Sequence, residues 1–560
     1  MRRFCQRPSR SAGAGRAGRA IVGGFLLVLA VTATQAVAGV WPAAARNTSA
    51  PSGAASDTLL AWGENDDGEL GDGTTTNRST PVDVSLPPGT EVTAIAATGD
   101  HSLALTSAGA VLAWGDNFDG QLGDGTTTTR STPVNVSLPA GVTITAIAAG
   151  DDHSLALTSA GAVLAWGDSS EGQLGDGTTT SKNTPVNVSL PTGVTVTAIA
   201  AGDDHSLALT SAGTVLAWGE NNDGELGDGT TTNRSTPVNV DLPAGVTITA
   251  IAAHGDHSLA LTSADSVLAW GDNLDGQLGD GTTTNRSTPV NVSLPAGVTI
   301  TAIAAGDEHS LALTPTGAML AWGNNSFGQL GDGTNTERST PVNVNLPAGV
   351  TITAITGGNL YSLAVTSTGT TLAWGDNNFG QLGDGTNTER STPVNVSLPT
   401  GVTITAIAAG DNHSLALTAP PPASTTALQV TPPNPTADQN ITLTATVTCN
   451  VDTPTGTITF RTNTTPLTTT PLTNATATAT AALPTGTHTL TAHYTSTNTC
   501  PNSQSPPTTI TVTVAPPPDE PDLPITGSNL TTTTGAGALS ILAGVILIYA
   551  TRRRRPTRPN

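Results

Sequence analysis

Tryptophan recurs through this chain with a fixed step. Trp62, Trp114, Trp166, Trp218, Trp270, Trp322 and Trp374 each stand 52 residues from the next. Nearly the same text surrounds every one, as in VLAWGDNFDGQLGDGTTTTRSTPVNVSLPAGVTITAIAAGDDHSLALTSAG. A period of this length is one supersecondary unit repeated, and such a unit buries its apolar face only against its neighbours. Each unit holds four short apolar or alternating segments, VLAWG, PVNV, ITAIAA and HSLAL, separated by Gly, Asp, Asn and Pro. These read as strands joined by turns, and no window sustains a helical period. Four strands per unit and seven units predict an all-β chain of blades around an axis. Aromatics are 3% of the chain while Gly numbers 61, which suits short strands and tight turns.

The ends of the array predict a closed ring. Thr-Ser-Ala-Gly joins HSLAL to VLAWG closely enough for a hairpin, so a blade runs ITAIAA, HSLAL, VLAWG, PVNV. The array opens on Leu59-Leu60-Ala61-Trp62-Gly63 with no HSLAL before it. It ends on His413-Ser414-Leu415-Ala416-Leu417 with no VLAWG after it. Each end holds the half-blade the other lacks, and joining them removes two open sheet edges. The expected body is a closed seven-bladed β-propeller over residues 58–418, with the seven tryptophans in the blade cores.

Trp114-Gly115-Asp116-Asn117-Phe118-Asp119-Gly120-Gln121-Leu122-Gly123 and Ala148-Ala149-Gly150-Asp151-Asp152-His153-Ser154-Leu155 resemble the two signatures of the regulator-of-chromosome-condensation (RCC1) repeat family. The resemblance covers residues 58–418 and implies a seven-bladed propeller. Thr98 and His254 stand where other repeats carry the first signature glycine, and Tyr361 replaces the sixth unit's histidine.

The text around the ring reads as export machinery and a tether. Residues 1–45 combine Arg2, Arg3, Arg7, Arg10, Arg16 and Arg19 with an apolar run over 20–40. Two small-x-small cleavage candidates, Ala36-Val37-Ala38 and Ala43-Ala44-Ala45, complete a signal peptide. Cys5 leaves with it, and the remaining Cys449 and Cys500 are expected to pair in an exported protein. Closing a loop of that length stabilises by about 4 kcal/mol in the chain-entropy account. A Pro-rich linker over 419–424 leads to residues 425–514, Thr-rich and alternating, where Leu483 to Tyr494 resembles the end of bacterial immunoglobulin-like domains. A small β-sandwich is expected there. A second Pro-rich linker follows over 515–522. Residues 523–560 hold Leu523-Pro524-Ile525-Thr526-Gly527, an apolar stretch over 535–550 and Arg552-Arg553-Arg554-Arg555. This order resembles an LPxTG sorting signal. The resemblance implies that a sortase thiolate breaks the Thr526–Gly527 bond and that peptidoglycan accepts Thr526. Membrane contact is then confined to the precursor's terminal segments.

Charge narrows the partners. The net charge is −22, and eleven of the 20 basic residues lie in the two terminal segments. Without those segments nine basic residues face 42 Asp and Glu, a balance near −33. Such a body repels phosphate backbones, so no nucleic-acid partner is expected. His101, His153, His205, His257, His309 and His413 recur once per blade, which spreads them apart, whereas zinc needs converging ligands. Each is expected to be structural, with its imidazole on a turn carbonyl. The Asp-rich turn over 115–120 lacks the bidentate Glu of helix-loop-helix calcium sites, and its carboxylates suit backbone hydrogen bonds. No nucleophile elbow, phosphate loop or Cys/His pair is present. The expectation is a non-enzymatic, wall-anchored surface protein without cofactor or metal, presenting its ring to an unidentified extracellular protein or glycan. Guanine-nucleotide exchange, as in the family's eukaryotic founder, and propeller-type enzyme inhibition are the alternatives. Inhibition would call for aromatic anchors on a rim, where the chain offers Phe118, Phe327 and Phe379.

Overall fold

The computed structural model describes residues 59–420 and 422–514. The signal segment, Cys5, the second Pro-rich linker and the sorting sequence with Leu523, Pro524, Ile525, Thr526 and Gly527 lie outside the described residues. The chain divides into two compact units that meet at residues 421 and 422.

The first unit holds seven four-stranded antiparallel sheets. One of them runs Val92–Thr98, His101–Thr106, Val111–Gly115, Arg130–Asn135 in spatial and sequence order. The second and third strands of each sheet are buried on both faces because a neighbouring sheet covers each face. This explains why they read as continuous apolar text rather than as an alternation. Size still alternates. Leu103, Leu105 and Ala113 pack on one side against Ala156, Leu164 and Trp166 of the next sheet. Ala104, Leu112 and Trp114 face the opposite side, toward Leu415 and Leu417. Large side chains of one sheet therefore meet small ones of the next wherever an indole needs room. Gly123 shows how tight this is. A Cβ there would lie 2.7 Å from Nε1 of Trp166, and its φ is +63°.

The outer strand begins earlier than the PVNV segment suggests, at Arg130 in this sheet. Its pairing with the third strand shifts register between Ala113 and Gly115. Pro133 is tolerated at such a bulged edge. The seventh sheet draws on both ends of the array, in the order Ile404–Ala409, His413–Thr418, Leu59–Gly63, Arg78–Asp83. Leu59 pairs with Leu417 and Gly63 with His413.

The second unit packs two sheets on one apolar core. Ser424–Thr431, Asn440–Cys449 and Thr476–Ala482 form one sheet. Gly456–Thr462 and Gly486–Ser496 lead the other. Alternate residues Ile441, Leu443, Ala445 and Val447 meet Ile458, Phe460, Leu490, Ala492 and Tyr494 between them. Cys449 and Cys500 are joined by a disulfide with their Cα atoms 5.9 Å apart.

Candidate functional site

All seven tryptophans are fully buried, and each indole ties its sheet to the one before. Nε1 of Trp114 donates to the backbone oxygen of Glu69 at 2.7 Å, and Trp166 does the same to Gln121 at 2.8 Å. A serine hydroxyl beside each indole donates to the same oxygen, as Ser102 does to Glu69 and Ser154 to Gln121. The recurring histidines complete the joint. Nε2 of His101 lies 2.8 Å from Oγ of Ser154, and His153, His205, His257 and His309 repeat the bond to Ser206, Ser258, Ser310 and Ser362. Tyr361 takes the histidine's place, its hydroxyl 3.0 Å from Oγ of Ser414. His413 then meets Ser102 at 2.9 Å, returning the circuit to its first member. Each imidazole thus pairs through Nε2 with a serine on the next sheet. A serine has one proton and gives it to the Gln or Glu oxygen, so Nε2 carries the hydrogen of this bond. Burial pushes the imidazoles of His101, His205, His257, His309 and His413 down to about 3 and His153 to about 4. They are neutral and structural at ordinary pH, and they do not converge on one point.

The inner strands surround a cavity of about 180 Å³ lined mainly by Ala, Ile, Val and Thr. His254 is the one titratable side chain among its lining residues. The turns that follow the inner strands link sheet to sheet through the backbone. Asp151 N donates to Asp203 O, Asp203 N to Gly255 O, Asn359 N to Asp411 O, and Asp411 N to Gly99 O. These turns carry Asp151, Asp203, Asp307 and Asp411. Burial first, then the nearest carboxylate charge (Asp411 for Asp151, Asp307 for Asp203, Glu308 for Asp307, Asp100 for Asp411), raises all four: Asp151 and Asp411 to about 7, and Asp203 and Asp307 well above the usual carboxylate range.

The long loops after the third strands rise at the same end of the sheets, because His101 pairs with Gly115 and Asp116 N donates to Asp100 O. They add Asp116, Asp119 and Asp168, which neighbour Asp152 closely enough for their charges, after burial and Asp151, to hold its carboxyl at about 7. Gln121 spans loop and turn, its amide donating to Asp116 and Asp152 at 2.8 Å each. Glu69 and Glu225 occupy the equivalent position in two blades. Burial pushes both carboxyls up to about 8. The basic residues do not offset this face. Arg78, Arg130, Arg234, Arg286, Arg338 and Arg390 each hold the aspartate six residues earlier at 2.6 to 2.8 Å. Apolar anchors are sparse there: Phe118 is 72% exposed and Leu274 is 70% exposed, three repeats apart, while Phe327 and Phe379 are half-buried. The loop pattern in the sequence pointed to the phenylalanines and missed Leu274, which occupies Phe118's place in its own repeat.

Comparisons with known proteins agree with this geometry. A model of the RCC1-like domain matches residues 190–423, and the RCC1 repeat model matches 56–105, 108–157 and 160–209. A bacterial Ig-like domain (group 3) matches 428–513. The ultraviolet-B receptor UVR8 of Arabidopsis thaliana is 34% identical over 337 residues, covering 60% of this chain and 76% of the receptor. The human E3 ubiquitin-protein ligase HERC2 is 34% identical over 66% of this chain, which spans 8% of the ligase. Among solved structures, human WBSCR16 superposes with a TM-score of 0.59 at 25% identity, covering 65% of this chain and 99% of that one. Yeast RCC1 (Prp20), solved bound to Kap60, gives 0.59 at 25% identity, covering 65% of this chain and 89% of that one.

Proposed function

The chain belongs to the RCC1 repeat family, and from that premise we propose that it is a non-catalytic binding and display module held on a bacterial surface. Its ring is closed, a reading supported by the circuit of Ser bonds and by the sheet shared between both ends of the array. The observation that carries the function is the face around the cavity mouth. Carboxylates from the turns and the long loops crowd it, while the arginines are taken up within their own blades. A surface with excess negative charge and isolated apolar anchors attracts a cationic protein or an amino-bearing glycan by complementary potential. Neutralising Asp116, Asp119 and Asp168 to Asn should weaken capture of a polycation such as poly-L-lysine, and added salt should weaken it in the wild type.

Display rests on the sequence at both ends. Mass spectrometry of muramidase-released wall peptides from the native host tests it. A peptide ending at Thr526 with a cell-wall amine adduct is expected. An intact end at Asn560 in the membrane fraction overturns the sortase step. Recovery of the whole chain from cytosol overturns display altogether. That last outcome would favour the second reading, nucleotide exchange. Its support is the likeness, at TM-score 0.58 and 26% identity, to yeast Prp20p, which binds Gsp1p and histones.

A further inference from the structure

We propose that Asp203, His254 and Asp307 form a binding site for one divalent transition-metal ion of the zinc type, beside the mouth of the propeller's cavity. One ligand atom from each of the three side chains lies within 4.8 Å of the others. Zinc bound at about 2.0–2.1 Å in tetrahedral geometry holds its ligand atoms roughly 3.4 Å apart, so small side-chain rotations close the cluster around an ion. Three protein ligands leave a fourth position for water.

His254 is the independent sign. It is 3% exposed, and neither ring nitrogen has a hydrogen-bond partner. The six recurring histidines differ, since each engages Nε2 with a serine. A buried imidazole with two unmet nitrogens is destabilising unless something meets it. Burial holds His254 down at about 4, so its lone pair is available at neutral pH.

The local sequence makes room for this arrangement. Four of the other turns read Gly-Asp, as Gly202-Asp203 and Gly306-Asp307 do, whereas this one reads His254-Gly255. The inner strand here runs Ile248–His254, which carries the imidazole into the cavity lining. Gly255 sits at φ +52°, and a Cβ there would stand 2.3 Å from Oδ1 of Asp307. The missing side chain admits that carboxylate over the turn. Gly255 N meanwhile donates to Oδ1 of Asp203 at 3.0 Å, steadying the second carboxylate. One imidazole nitrogen and two carboxylates suit a borderline transition ion better than calcium, which takes oxygen ligands in larger number.

The test is zinc titration by calorimetry on the chelator-treated, full-length, untagged protein, with cobalt absorption as a second readout. The wild type should take up one zinc per chain, and cobalt should give d–d bands. His254→Ala should weaken binding by about 100-fold or more, at least as much as loss of an outer-shell partner costs. Asp203→Asn should do likewise and stands in if the first variant does not fold, with circular dichroism as the check. Asp119→Asn, on the same acidic face but outside the cluster, should bind as the wild type does. No uptake by the wild type at millimolar zinc overturns the proposal. So does wild-type affinity in folded His254→Ala, or equal loss in Asp119→Asn, which would mean a diffuse acidic attraction.

Discussion

Nε1 of Trp62 donates a 2.8 Å hydrogen bond to the backbone oxygen of Gln381, 319 residues further along the chain. The first strand of the array is thereby held by the last long loop in the same way that Trp218 is held by Gln173. Trp62→Ala and Trp218→Ala should each cost about 3–5 kcal/mol. Urea unfolding checks this, and a much smaller cost for Trp62 would show that the first strand is not seated in solution.

Glu69 and Glu225 set the alkaline side of the stability profile. Their folded pKa values, about 8, stand above the ordinary 4.5. The stability they contribute is full below pH 4.5 and is lost as pH rises toward 8. Above pH 6.5, where the imidazoles are neutral in both states, the melting temperature should fall as pH rises to 8. The double variant Glu69→Gln/Glu225→Gln should flatten that slope and be more stable at pH 8 by about 2 kcal/mol or more.

The imidazoles set the acid side with the opposite sign. Folded values near 3 lie below the ordinary 6.5, so this stability is full above pH 6.5 and drains away as pH falls toward 3. Tyr361→His adds another imidazole to the circuit. It should steepen the loss of stability with acid, measured as the slope of unfolding free energy against pH between 6.5 and 4.

One blade carries Lys182 where six others carry the paired arginine. Lys182→Arg should place a two-toothed guanidinium on Asp176 and stabilise by about 0.5–1 kcal/mol. Differential scanning calorimetry reads the shift.

Asp265 adopts φ +59° at a turn where the other blades have glycine, such as Gly109. Asp265→Gly should relieve about 0.5–1 kcal/mol, visible in chemical denaturation. Asp265→Ala should not.

Much of this architecture was legible in the repeats. ITAIAA, HSLAL and VLAWG coincide with strands such as Ile144–Ala149, His153–Thr158 and Val163–Gly167. Hydrophobic text of that length between turn residues has few other readings. The outer strand was underread because its start is fixed by an arginine reaching back to an aspartate, a side-chain event with no periodicity. The serine partners of the histidines were hidden for another reason. They lie 53 residues away on the next sheet, and only the packing brings them together. The Asp203–His254–Asp307 cluster left a faint signal. His254 was visible as a departure from the repeat, and its acidic neighbours sit 51 residues before and 53 residues after it. Repeat alignment compares equivalent positions blade by blade, whereas the turns that build the cluster meet between blades.

The placement of the last strand has a mechanical consequence. His413–Thr418 lies between Ile404–Ala409 on one side and Leu59–Gly63 on the other, and the chain leaves the ring from its end. A pull directed along that strand's own axis would meet both of its neighbours together. Every rung from Leu59↔Leu417 to Gly63↔His413 is loaded at once, in shear, instead of being unzipped one after another.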